Sequence, residues 1–237
     1  MISFFNKLME EFTKEVREFL EKTFGKLEKL VIDCLDLRKC LNNPPNLWYF
    51  LDVLSSGMKF ESKIEGKIHD TAVNEKEYPI YLGKRSIIKA YTVIEGPLVV
   101  GENTIIGPFA YLRGNNIIGD DCKIGRPEIK NSIIMDGSHI AHHGYVGDSI
   151  LGRKVNIGAG SELANLRVDD KNVIVRYNGE IYDTKRRKVG SFMEDNSGTG
   201  CNVVLNPGTY LREGEAVVLN RRSYTVLRRE KAVVFGK

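Results

Sequence analysis

Eight aliphatic side chains stand six residues apart, at Leu82, Ile88, Ile94, Val100, Ile106, Leu112, Ile118 and Ile124. A helix repeats its apolar face about every 3.6 residues and a half-buried strand about every two. A period of six instead describes a short extended wall, a corner, and the next wall. Three walls close one coil of about eighteen residues, so the pattern predicts a triangular solenoid whose aliphatic residues point into a narrow core. The position four residues after each aliphatic is small where the walls converge, as at Ser86, Thr92, Thr104, Ala110 and Cys122. After a slip the period resumes at Ile134, Ile140, Val146, Leu151, Ile157 and Leu163, and again at Met193, Thr199, Leu205, Leu211 and Val217. Together these give roughly six coils.

The expected fold class is therefore mainly β: a left-handed parallel β-helix with an N-terminal α-helical extension. Residues 1–60 are read as that extension, 61–220 as the solenoid with an inserted loop at 165–189, and 221–237 as a tail. Phe5, Leu8, Phe12, Val16, Phe19, Phe24, Leu27 and Leu30 recur at helical spacing. A second helical stretch runs to about Leu41, before the break at Asn42-Asn43-Pro44-Pro45, and a short aromatic helix or connector follows at 46–54. These helices are expected to cap a solenoid end or to mediate self-association. Residues 165–189 are polar and end in Lys185, Arg186, Arg187 and Lys188. An insertion of that length in a tight repeat is expected to be functional.

Composition narrows the classes. A net charge of +4 with 28% charged residues argues for no nucleic-acid partner. The basic run, together with Arg221, Arg222, Arg228 and Arg229, would suit an anion or a solvated face equally well. Cys34, Cys40, Cys122 and Cys201 show no C-x-x-C spacing, so reduced thiols and a cytoplasmic location are expected. No signal peptide or membrane span is legible.

Three of the four histidines fall within five residues, at His139, His142 and His143, beside Tyr145. At neutral pH such a cluster suits a metal site, a general base or an exposed polar corner. Three histidines on one corner, with His69 far upstream, do not surround a metal, and none is expected.

From about residue 94 to 217 the chain resembles the acetyltransferase half of the bifunctional sugar-1-phosphate nucleotidylyltransferase/amino-sugar N-acetyltransferases, in its archaeal form. The resemblance lies in Gly107-Pro108-Phe109-Ala110-Tyr111-Leu112-Arg113, Glu128-Ile129-Lys130-Asn131-Ser132, Tyr145-Val146-Gly147-Asp148-Ser149, Val155-Asn156-Ile157-Gly158-Ala159-Gly160 and Ala164-Asn165-Leu166-Arg167. It implies His142 as general base, with Glu128 orienting it. Arg113 and Lys130 would bind the substrate phosphate, and Tyr145 and Asn156 the sugar. Ala159, Asn165 and Lys171 would contact acetyl-CoA, with Cys201 where the family carries a serine. It also implies a homotrimer with sites between prisms, an amino-sugar 1-phosphate acceptor and no membrane partner. The family's nucleotidylyltransferase domain has no counterpart here, and a separate nucleotidylyltransferase chain as partner stays open. A nucleotide-linked amino sugar or other small amine as acceptor, and a non-catalytic scaffold, stand as alternatives.

Overall fold

The computed structural model describes residues 48–55, 57–58, 60–177, 180–220 and 223–228. The helical stretches expected up to Leu41, together with Cys34, Cys40, Arg221, Arg222 and Arg229, lie outside them. The repeat folds as a three-faced parallel β-solenoid. The first face stacks Lys63–Ile64, Ile80–Leu82, Leu98–Val100, Asn116–Ile118, Ile133–Ile134, Ile150–Leu151, Phe192–Met193 and Tyr210–Leu211. Its eight levels exceed the roughly six coils expected, because the stack begins before Leu82, where Lys63 and Ile64 are exposed and the apolar signal is weak. The second face runs from Lys67–Ile68 through Ile87–Ile88, Ile105–Ile106, Lys123–Ile124 and His139–Ile140. It continues by single bridges at Asn156 to Gly198. The third face holds Val93–Glu95, Tyr111–Arg113, Glu128–Lys130, Gly144–Gly147, Ser161–Leu163 and Val204–Leu205.

The slip in the repeat is not a break. Ile129 is fully buried and pairs in register with Leu112 and Val146, so it is the missing inward residue of the third face. The spacing is five on both sides of it, and five again from Val146 to Leu151. Shortened corners follow at Asn131 and Asp148, both with positive φ, 44° and 45°.

Small interior residues do more than fit. Ser86 Oγ donates to the Gly101 carbonyl (2.6 Å) and accepts from the Thr104 N–H (2.9 Å). Thr104 Oγ1 in turn donates to the Gly119 carbonyl (2.7 Å) and accepts from the Cys122 N–H (3.0 Å). This ladder satisfies backbone groups that a corner would otherwise leave unpaired in the dry interior. Burial pushes the Cys122 thiol up from 9.0 to about 12. Between those values the folded chain holds a proton that the unfolded chain has lost, so this residue's contribution to stability declines as pH rises from about 9 to about 12. The denaturation midpoint of the native protein, compared with Cys122→Ala, should fall relative to the variant across that range; a constant difference would contradict it. Thiol labelling near pH 8 with peptide mapping should modify exposed Cys201 and spare Cys122.

The first face is apolar on its outer side as well. Val99, Ile117, Ile133, Ile150 and Phe192 form one in-register row and are all nearly or completely buried. Helix α1 (Trp48–Ser55) covers this row with Trp48, Leu51 and Leu54. It lies along a wall, rather than across an open end as expected of a cap. The excursion joins it: its hairpin, Ile174–Tyr177 paired antiparallel with Glu180–Asp183, brings Val173, Val175 and Val189 into the same cluster. Arg186 donates to Asp52 and, at 3.3 Å, to Ser55 Oγ, pinning helix to excursion. Arg187 pairs with Asp170 and Lys185 with Asp183 (2.9 Å). Lys185, Arg187 and Lys188 are exposed, as a solvated face would be, while Arg186 is largely enclosed by its pairing with the helix.

Candidate functional site

Outward positions of the third face form two rows. Register aligns Val93, Tyr111, Glu128, Tyr145 and Glu162 in one, and Glu95, Arg113, Lys130 and Gly147 in the other. Four of the sequence-selected residues, Arg113, Glu128, Lys130 and Tyr145, thus lie side by side on one wall, because parallel in-register stacking places residues fifteen to eighteen apart in neighbouring coils next to each other.

Their pairing differs from the expected one. Glu128 Oε1 accepts from Arg113 Nε at 2.5 Å, whereas Glu128 was expected to orient His142. The hydrogen bond from Arg113 to Glu128 raises the guanidinium's affinity for its proton. The pair uses only Nε, and the half-exposed Arg113 keeps its terminal nitrogens for another oxyanion. Lys130 is more enclosed: its side chain is 15% exposed and its Nζ lies 2.8 Å from Oδ2 of Asp148, itself 2% exposed. The same Oδ2 accepts from Asn165 Nδ2 at 2.5 Å, and Oδ1 accepts from Asn131 Nδ2 at 3.4 Å. Burial, reinforced by the charges of Asp148 and Glu128, pushes the Tyr145 hydroxyl above its ordinary range. Its ring leans across Gly147, where a β-carbon would stand 2.3 Å from Oη. Sequence reasoning did not select Asp148. The signal was available in the five-residue step from Val146 to Leu151, which turns this aspartate into the wall instead of out of the corner.

The edge between the second and third faces carries another part of the set. His142 is exposed there and makes no hydrogen bond or ion pair with the described residues. His143 follows, and its Nε2 would lie 3.4 Å from a β-carbon on Gly160, over the next coil. Burial raises the Glu162 carboxyl, the charge of Glu128 adds to this, and His143 opposes it. Ala159 and Cys201 occupy the same edge in the following coils, linked through Gly160 N–H to the His143 carbonyl (2.9 Å) and Asn202 N–H to the Ala159 carbonyl (2.8 Å). Exposed Tyr91 and Phe109 stack on this edge further along, with centroids 5.3 Å apart. Asn156 is exposed on the second face, and Lys171 is exposed on the excursion. One chain therefore gathers Arg113, Glu128, Lys130, Tyr145 and Asn165 on one wall and His142, Ala159 and Cys201 along one edge, and leaves Asn156 and Lys171 apart. Among the described residues no three His, Cys, Asp or Glu side chains converge as a metal site, and no helix is long and apolar enough to cross a membrane.

Residues 94–185 match the family described as GMPPB C-terminal domain. A bifunctional sugar-1-phosphate nucleotidylyltransferase/acetyltransferase of Sulfurisphaera tokodaii is 45% identical over 104 residues, which are 42% of this chain and 26% of that protein. The bifunctional protein GlmU of Methanocaldococcus jannaschii is 46% identical over 81 residues, 34% of this chain and 20% of the relative. The chain thus spans about a quarter or less of the curated relatives it matches. Among solved structures, a hexapeptide transferase family protein from Anaplasma phagocytophilum aligns over 70% of this chain and 79% of its own, at 22% identity and a TM-score of 0.31. Over about two fifths of its length, then, this chain is similar to the bifunctional sugar-1-phosphate nucleotidylyltransferase/acetyltransferases, as its motifs implied.

Proposed function

We propose that the chain is an acetyl-CoA-dependent N-acetyltransferase acting on an amino-sugar 1-phosphate, glucosamine or galactosamine 1-phosphate, and that it works as a homotrimer. The observation that carries this reading is an exposed His142, with no hydrogen bond or ion pair among the described residues, beside a third-face wall on which Arg113 keeps donors to spare, both within the residues 94–185 that match the GMPPB C-terminal domain family.

The acceptor amine is mostly protonated near neutrality and must lose a proton to react. The ammonium first gives one proton to solvent. His142 takes a second proton from the nitrogen as the free amine attacks the thioester carbonyl. The N–C bond forms, the C–S bond breaks, and the imidazolium passes its proton to the departing sulfur. Arg113 offers its terminal N–H groups to the phosphate in a fork, so Lys130, held by Asp148, is not needed as a free second cation. Asn165 has one N–H committed to Asp148, so a backbone N–H or the second Asn165 N–H is the donor for the tetrahedral oxyanion. The split between wall, edge and second face supports a shared cleft, in which a neighbouring copy supplies Asn156 or Lys171. The exposed Tyr91–Phe109 stack offers that copy apolar surface on the same edge.

Arg113→Ala tests the phosphate assignment. KM for a phosphorylated amino sugar should rise about ten- to hundredfold, as loss of a charge-assisted contact implies, with little change for the unphosphorylated sugar. An equal effect on both acceptors would remove Arg113 from phosphate recognition.

A further inference from the structure

Asp148 is the most enclosed carboxylate of the third-face cluster, and both ends of the 165–189 excursion are fastened to it. Its carboxylate holds Asn165 Nδ2 at 2.5 Å where the excursion leaves the solenoid, and its carbonyl accepts from Gly190 N–H at 2.8 Å where the excursion returns. Between those points Val189 N–H donates to the Asn165 carbonyl at 2.9 Å. The returning strand passes so close that a β-carbon on Gly190 would stand 2.0 Å from the Gly147 carbonyl oxygen. The Asp148 N–H donates to the Lys130 carbonyl at 2.8 Å, and the Lys130 ammonium lies 2.8 Å from the carboxylate.

An ionised carboxylate only accepts hydrogen bonds. Facing one, a carboxamide must present nitrogen, and its planarity then turns the oxygen the other way. We propose that Asp148 is a positioning residue that fixes the Asn165 carboxamide with Nδ2 towards the wall and Oδ1 away from it, so that Asn165 offers an acceptor to an amide N–H of the thioester substrate. The use made of that acceptor rests on the acetyltransferase reading; the orientation itself does not.

In Asp148→Asn, the carboxamide oxygen takes the place of Oδ2, which holds both Lys130 Nζ and Asn165 Nδ2, and the new amide nitrogen takes the place of Oδ1 opposite Asn131. Asn165 therefore keeps its orientation, and the thioester KM should stay within about threefold of the native value. Two double variants remove the lysine charge and differ only in what position 148 offers. Lys130→Met with Asp148→Asn keeps a carboxamide oxygen for Asn165 and should hold the thioester KM within about threefold of the native value. Lys130→Met with Asp148→Ala offers nothing and should raise it about tenfold, measured at saturating acceptor in both. Equal thioester KM values in the two doubles would overturn the proposal. A second readout is independent of turnover: the side-chain NH2 protons of Asn165 in the 15N-labelled full chain. They should exchange slowly with solvent in the native protein and in Lys130→Met/Asp148→Asn, and quickly in Lys130→Met/Asp148→Ala. Uniform exchange in all three would sink the assignment. Native protein that releases no CoA with any acceptor would refute the acetyltransferase reading alone, and the exchange pattern would still decide the hold of Asp148 on Asn165.

Discussion

His142→Ala should lower kcat by about 10²–10⁴-fold, the range typical of losing a positioned general base, with KM for either substrate changed only a few-fold. His142 is exposed on the edge between the second and third faces and has no hydrogen bond or ion pair with the described residues. Its removal therefore leaves no buried group unsatisfied, and the thermal midpoint should be unchanged. His143 is the internal control. Its ring lies over Gly160 and faces the charge of Glu162, so His143→Ala should cost much less in kcat. Steady-state release of the CoA thiol measures both. Turnover of His142→Ala within a few-fold of native would remove the base assignment, and a larger loss in His143→Ala would transfer it to the neighbour.

The largest effect on stability is expected at Phe192→Ala, about 3–5 kcal/mol for truncating a buried aromatic. Phe192 is 1% exposed, sits in register between Ile150 and Tyr210, and its ring centroid lies 6.1 Å from that of Trp48. It joins the solenoid's outer wall to helix α1 and to the excursion, so a cavity here loosens three elements at once. The chain has a single tryptophan, and it is Trp48. Its fluorescence under denaturant therefore reports this interface directly, and emission should shift to the red at a lower denaturant concentration in the variant. A loss below about 1 kcal/mol would mean that the outer wall is not a true second core.

The inward residues of the solenoid were legible because a six-residue period has no rival among regular structures. Ile129 was missed because the period contracts to five on either side of it, and a fixed clock reads contraction as failure. The outer apolar row was also written in the chain, as adjacent pairs such as Val99-Val100, Ile117-Ile118 and Ile133-Ile134. Two neighbouring apolar residues on a strand point to opposite faces, so such pairs mark a wall covered on both sides. Expecting the helices at an open end concealed that meaning.

The residue types of the site were legible, but not their partners. Arg113 meets Glu128 fifteen residues on, and Lys130 meets Asp148 eighteen on. Those pairings follow from which corners are one residue short, which the five-residue steps around Ile129 and after Val146 record but a fixed six-residue clock passes over. Within the basic run only the enclosure of Arg186 was hidden from the sequence, since its partner Asp52 lies 134 residues away.

The most direct measurement is CoA-thiol release by the native full chain, with acetyl-CoA and a panel of acceptors: glucosamine 1-phosphate, galactosamine 1-phosphate, their nucleotide-linked forms, and simple amines. Fastest turnover on one of the two sugar 1-phosphates is the predicted result. Equal or greater turnover on the nucleotide-linked sugars or simple amines would contradict the phosphate-recognising wall, and silence with every acceptor would leave the solenoid a scaffold without this chemistry.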